Sequence, residues 1–219
     1  MKITNEMLQR WKACSDGYEW FNKHFPSGEA EYQVVLDALA ADDQPNYANW
    51  LMDHAGGDQN AVLEVDAIVD CKHLFFAGRI VIKGSATVAG WLRAGTGIEA
   101  GWGIEAGWGI EAGEGIKAGR GIKAGKGIEA GWGIEAGWGI KAGTGIKAGK
   151  GIEAGWGIEA GDGIKGGRGI KAGDDYGIFA GLRIKMSVWT IYAKVTAKSK
   201  PNNLVSGSWV EPKGKKEEA

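Results

Sequence analysis

Few residues of this chain have the types and spacing that chemistry needs. The histidines His24, His54 and His73 and the cysteines Cys14 and Cys71 are its natural bases, nucleophiles and soft metal ligands. With Asp16 or Asp53 they reproduce no metal-ligand spacing. A histidine general base working on the repetitive second half of the chain would have to lie there, yet all three histidines precede it. The string Gly-X-Gly-X-X-Ala, as at Gly101, imitates a dinucleotide fingerprint, but a true one occurs once, between a strand and a helix. Here it recurs for some eighty residues. No catalytic residue, metal or cofactor is expected, and the protein reads as a non-enzyme.

What remains is recognition chemistry. Trp102, Trp108, Trp132, Trp138 and Trp156, with Arg120 and Arg168, each occupy the variable place in Gly-X-Gly. Indole rings and guanidinium groups are enriched where proteins bind one another. They suit a protein partner, a second copy of the chain, or sugar rings. Alternatively they fold over the glycines and stack with neighbouring cations.

The element that must position these residues is an array from Gly97 to Asp174, in which Gly-Ile-Glu/Lys-Ala-Gly-X repeats with one lapse at Gly166. Ile98, Glu99 and Ala100 alternate apolar, charged and small, the pattern of a short strand with Ile and Ala inward. The Gly-X-Gly that follows is a corner, read here as relying on glycine's access to positive φ. A helix is excluded, since two glycines in six residues cost about 2 kcal/mol per hexad against alanine. Strict short periodicity means a β-solenoid whose coils stack on one another.

Charges suggest the coil size. Taken twelve residues apart, ten of the eleven pairs at the Glu/Lys position have opposite sign; taken eighteen apart, six attract and four repel. Cross-strand ion pairs contribute about 0.2–1 kcal/mol each. This predicts a two-sided coil of 12 residues carrying the charge ladder Glu105, Lys117, Glu129, Lys141, Glu153, Lys165. The same step stacks Arg120 between Trp108 and Trp132, a cation–π arrangement worth about 0.5–1 kcal/mol at an exposed site. Insect antifreeze solenoids have coils of that size but present ranks of threonine, whereas only Thr96 and Thr144 occupy variable positions here.

Before the array, residues 1–57 read as a small helical module. Thr4 caps a helix through Met7, Leu8 and Trp11, and Ser15-Asp16-Gly17 reads as a break. Ser27-Gly28-Glu29 opens a helix with Tyr32, Val35, Leu36 and Leu39 at helical spacing, and Gly56-Gly57 ends the last. Residues 58–96 are the irregular first coils, 97–175 the array, 176–200 a β cap and 201–219 a solvated tail. Within the cap, Arg183–Met186 and Trp189–Thr196 alternate as strands. Lys and Arg total 26 against 27 Asp and Glu, so no bulk charge draws the chain to nucleic acid or an anionic membrane. No signal peptide or apolar span is expected, and two reduced thiols fit a cytoplasmic setting.

The N-terminal string Lys12-Ala13-Cys14-Ser15-Asp16-Gly17-Tyr18-Glu19-Trp20-Phe21, with Phe25-Pro26 and Ala48-Asn49-Trp50-Leu51-Met52, resembles the opening module of small proteins encoded by bacteriophages and prophages of enteric bacteria. Some of these also continue into Gly-Ile-Lys-Ala-Gly-like repeats. The resemblance implies a bacterial intracellular setting and an accessory role, such as antagonism of a host or defence factor, and supplies no functional residue. The expected function is protein interaction on a rigid scaffold; the alternative is a carbohydrate-binding or adhesin-like module using the tryptophan corners.

Overall fold

The computed structural model describes residues 1–212: a small helical module followed by a parallel β-solenoid. The module holds α1 (Asn5–Arg10), α2 (Ser15–His24), α3 (Tyr32–Ala41) and α4 (Pro45–Ala55). Thr4 Oγ1 accepts from the Met7 N–H at 3.3 Å, the N-cap that the sequence suggests. Two readings are corrected. Gly17 lies inside α2 rather than at a break, and Glu29–Glu31 is a strand paired antiparallel with Lys2–Thr4, so α3 begins only at Tyr32.

The coil has three sides, not two. Ile104 pairs with Ile122, Ile110 with Ile128 and Ile116 with Ile134, each eighteen residues on, and two sheets of eight strands and one of seven result. The first face runs from Val62–Val65 to Ile170–Lys171, the second from Ile68–Cys71 to Leu204–Ser206, and the third from Leu74–Phe76 to Ser208–Val210. The twelve-residue coil is therefore wrong, and energetic scale explains why. Every isoleucine from Ile98 to Ile164 is at most 2% exposed, and burying one contributes about 1.5–3 kcal/mol. Exposed ion pairs contribute about 0–1 kcal/mol. The core, closed by three isoleucines per coil, outweighs the pattern of signs at the surface.

The charges accommodate this. The signs cycle over four hexads, so stepping by three is equivalent to stepping back by one, and each face repeats in doublets. Apart from Lys117, which lies between Glu99 and Glu135, every Lys or Glu flanked by charges on both sides then has an opposite neighbour on one side and a like one on the other. Lys123 binds Glu105 and Lys141 binds Glu159, both at 2.6 Å, with Lys123 and Lys141 back to back. Lys117 with Glu135 and Lys171 with Glu153 repeat the scheme on the first face at 3.3 Å, and Lys147 pairs with Glu129 on the third. The predicted ladder is thus dispersed over three faces, and Lys165 sits above Lys147 with no ion pair among the described residues.

The corner glycines are there for space. Among the described glycines only Gly28, Gly56, Gly181 and Gly207 have positive φ, so the left-handed corner expected from sequence does not occur in the array. The glycine after each alanine instead lies against the coil beneath. A Cβ on any of these from Gly101 to Gly173 would stand 1.9–2.2 Å from a backbone carbonyl oxygen eighteen residues earlier.

The module is packed on the first coils. Phe75 and Ala77 are shared with its core. Leu74 N–H and Phe76 C=O bond to the next coil, which leaves Phe75 C=O and Ala77 N–H facing the open end. Gln33 of α3 satisfies both: its Nε2 donates to Phe75 O at 2.8 Å and its Oε1 accepts from Ala77 N at 2.9 Å. One carboxamide thus stands in for a peptide group of a preceding strand. Gln33→Ala orphans both groups, at about 1–3 kcal/mol each where water is excluded. The expected result is a thermal midpoint several degrees lower and loss of hydrogen-exchange protection at the Ala77 amide; unchanged protection there would contradict this role.

Polar locks complete the junction. Arg93 pairs with Asp53 and, at 3.3 Å, with Glu111, while donating to Asn49. Burial pushes the Glu111 carboxyl above the ordinary range, against the pull of Arg93. Buried His73 accepts from the Trp91 N–H through Nδ1 at 3.0 Å and holds Asp43 through Nε2 at 2.9 Å. Hydrogen bonds from Lys72 and then His73 hold Asp43 below the usual carboxylate range.

At the other end, the expected β cap and solvated tail are redrawn. Residues 186–192 form a 3-10 turn (Met186–Val188) and a short helix (Trp189–Tyr192) instead of strands. Only Lys194–Thr196 joins the third face. Leu204–Ser206 and Ser208–Val210, within the expected tail, are the last strands of their sheets. Residues 213–219 lie outside the described part.

Candidate functional site

The variable corner residues, read in steps of eighteen, form three columns. One holds Trp102, Arg120, Trp138 and Trp156, tied by backbone bonds from Arg120 N to Trp102 O, Trp138 N to Arg120 O and Trp156 N to Trp138 O at 2.9–3.1 Å. Parallel stacking then fixes the side chains one above another. The Arg120 guanidinium lies 4.9 Å from the Trp102 ring centroid and 5.0 Å from that of Trp138. Trp138 and Trp156 stack at 5.0 Å with planes 3° apart. The predicted sandwich is of the right kind with the wrong partners: Arg120 lies between Trp102 and Trp138, not between Trp108 and Trp132.

A residue unforeseen in the sequence extends the column. Ile158 pairs with Ile178, twenty residues on, so this corner carries two extra residues. The longer turn places Tyr176 on Trp156 at 5.7 Å with planes 16° apart. The only trace in the sequence is Asp174-Asp175-Tyr176 interrupting the beat. The result is a five-membered stack along one edge: Trp102, Arg120, Trp138, Trp156 and Tyr176.

The other tryptophans stand on other edges. Trp132 receives Lys150 at 4.4 Å, and Trp108 receives Lys126 at 4.6 Å with His73 edge-on on the same ring. Arg168 follows Lys150 in the Trp132 column, joined to it by backbone, and no ring lies over it among the described contacts. The five tryptophans stay 39–55% exposed. Stacking therefore orders them without burying them.

This geometry decides what the edge can do. Rings stacked along the rod axis spend their faces on one another and offer their rims to the outside. Beside the stack, a shallow groove of ≈ 550 Å³ runs along the second face past Glu105, Lys123, Lys141 and Glu159 to Trp156 and Tyr176. The histidines stay apart: His24 and His54 accompany Trp20 and Trp50 in the module, and His73 is the buried pin described above. Among the described residues no group of three or more His, Cys, Asp or Glu is placed to hold a metal, and both cysteines are free. No helix there is long and apolar enough to cross a membrane.

Comparison with known proteins locates a relationship in the module alone. No curated protein and no solved structure matches the chain. Residues 1–56 match the family model described as the YdhT N-terminal domain, whose match ends as α4 does.

Proposed function

We propose that this is a non-enzymatic interaction protein in which the solenoid presents a pre-ordered aromatic edge to a protein partner. The observation that carries the reading is the five-membered stack from Trp102 to Tyr176, exposed along one edge of a rigid rod. Ordering long side chains at an interface costs about 0.5–1.5 kcal/mol each, and here stacking has already met that cost. Large aromatic rims next to a groove that carries both signs of charge suit a protein surface. In the phage or prophage setting that the N-terminal resemblance implies, the partner is a host or defence component in the bacterial cytoplasm. Sugar binding by this edge is the weaker reading, because a pyranose needs an open ring face and the neighbours of Trp138 and Trp156 occupy both of theirs.

The test is capture from bacterial lysate by the full chain and by Trp138→Ala/Trp156→Ala, with a glycan array run in parallel. The double variant leaves every backbone ladder in place and should keep its circular dichroism spectrum. We expect it to lose the captured partner, with binding weakened at least about tenfold once that partner is purified. Equal capture by both chains would refute the edge as the contact, and array signals lost in the double variant would favour the carbohydrate reading instead.

A further inference from the structure

The helical module contains a cavity of ≈ 300 Å³ that the rod does not share. Its walls are apolar and aromatic, with Phe21, Val35 and Leu39 buried and the indoles of Trp20 and Trp50 at its sides. That is the size and lining of a site for a small ligand. One charged side chain lines it, Lys12; Asp16 influences the adjoining Tyr47 hydroxyl but lies outside the lining. Lys2 and Lys72 are paired with Glu29 and Asp43, whereas Lys12 has no ion pair among the described residues.

Two lining residues are locally unfavourable where they stand. Lys12 has φ 61°, in the left-handed turn that closes α1 through Lys12 N to Gln9 O and Ala13 N to Leu8 O. Glycine is preferred at such a position, yet the chain carries a lysine. Gly17 shows the converse: it sits within α2, where glycine is a poor choice. A Cβ there would meet the Tyr47 ring at 3.8 Å, an ordinary contact, and Cys14 Sγ at 3.3 Å, a tight one that an exposed thiol relieves by turning aside. Folding alone would favour the opposite pair. Together the two residues put a cation at the cavity and leave its space unfilled, and conflicts of this kind concentrate where a site is built.

We propose that this cavity binds a small amphipathic carboxylate, with its apolar body between Trp20 and Trp50 and its carboxylate on Lys12. Calorimetric titration of the full chain with decanoate and with decan-1-ol tests this. The expected result is one decanoate per chain, and slower labelling of Cys14 by a thiol reagent in a Cys71→Ala background when decanoate is present. Gly17→Leu should fill the space and weaken decanoate at least about tenfold. Lys12→Gly should weaken decanoate at least about fivefold and leave decan-1-ol within about twofold. Lys12→Gly should unfold no earlier than the parent, since it relieves a local conflict, and Gly17→Leu should keep the parent's circular dichroism spectrum, since the exposed Cys14 thiol can yield to the new side chain. No saturable binding of decanoate, or binding indifferent to Gly17→Leu, overturns the site. Equal losses of decanoate and decan-1-ol in Lys12→Gly overturn the carboxylate assignment.

Discussion

Gly131→Ala should lower the thermal midpoint by roughly 10 °C, while Gly133→Ala, on the other side of the same tryptophan, should leave it within about 2 °C. The two glycines look equivalent in sequence and are not equivalent in space. A Cβ on Gly131 would lie 2.0 Å from the carbonyl oxygen of Gly113 and 3.0 Å from its carbon. Both are backbone atoms of the coil beneath, so no side-chain rotation relieves the clash. Separating the coils there stretches Gly131 N to Ala112 O and Trp132 N to Glu114 O, now 3.0 and 2.9 Å. Two strained ladder bonds at about 1–3 kcal/mol each account for the expected loss. On Gly133 the nearest atom to a Cβ is Gly151 O at 3.5 Å, an ordinary contact. There the smaller conformational freedom of alanine in the unfolded chain contributes about 0.4–1 kcal/mol in the stabilising direction. Thermal melts followed at a β-sheet wavelength decide it; equal losses at both positions would show that the corner is not a close approach of coils.

The asymmetry of the two glycines marks how far the sequence could be read. Alternation of Ile, charge and Ala located each strand of the array and the side it buries, because side-chain direction in a strand follows directly from residue order. Coil size was another matter. It depends on how many isoleucines close a core, and sequence offered only surface charges as a proxy. A cycle of two acids and two bases alternates almost perfectly at twelve residues and forms back-to-back couples at eighteen, so the weaker force pointed the wrong way. Once the step changed, the partners of Arg120 changed with it. Gln33 and Tyr176 were illegible for a further reason. Gln33 acts on a strand edge over forty residues away in the chain, and Tyr176 reaches the stack only through the two extra residues of its coil. The short closing strands were hidden among Pro201, Asn202 and Asn203, residues that ordinarily mark turns.

Those closing strands bear on the rod's solubility, and removing residues 201–219 should turn the protein into a self-associating species. The last complete turn carries Ile178 and Val195, both nearly inaccessible. Leu204 pairs with Ile178 and packs on the end of the core, and Trp209 pairs with Val195. Trp209 also donates from Nε1 to Ala197 O at 3.1 Å. Without these strands the bonds Ile178 N to Asn203 O and Ala180 N to Ser206 O, each 2.8 Å, have no acceptor, and the carbonyl of Ala193 loses Ser208 N. The truncated rod would combine bare apolar surface, worth about 1.5–3 kcal/mol for each large side chain uncovered, with unpaired strand edges. That pairing of features drives edge-to-edge association, and a uniform solenoid offers a matching end on every copy. Light scattering should report a mass at least about double that of the full chain at equal concentration. Removing only residues 213–219 should leave the mass unchanged, since both strands survive. Trp209→Ala should fall between the two, because it removes the bond to Ala197 but keeps the ladder. A truncated chain that matches the full-length mass across a concentration series would mean that the last strands are ornament, and that the coil ending at Val195 closes itself.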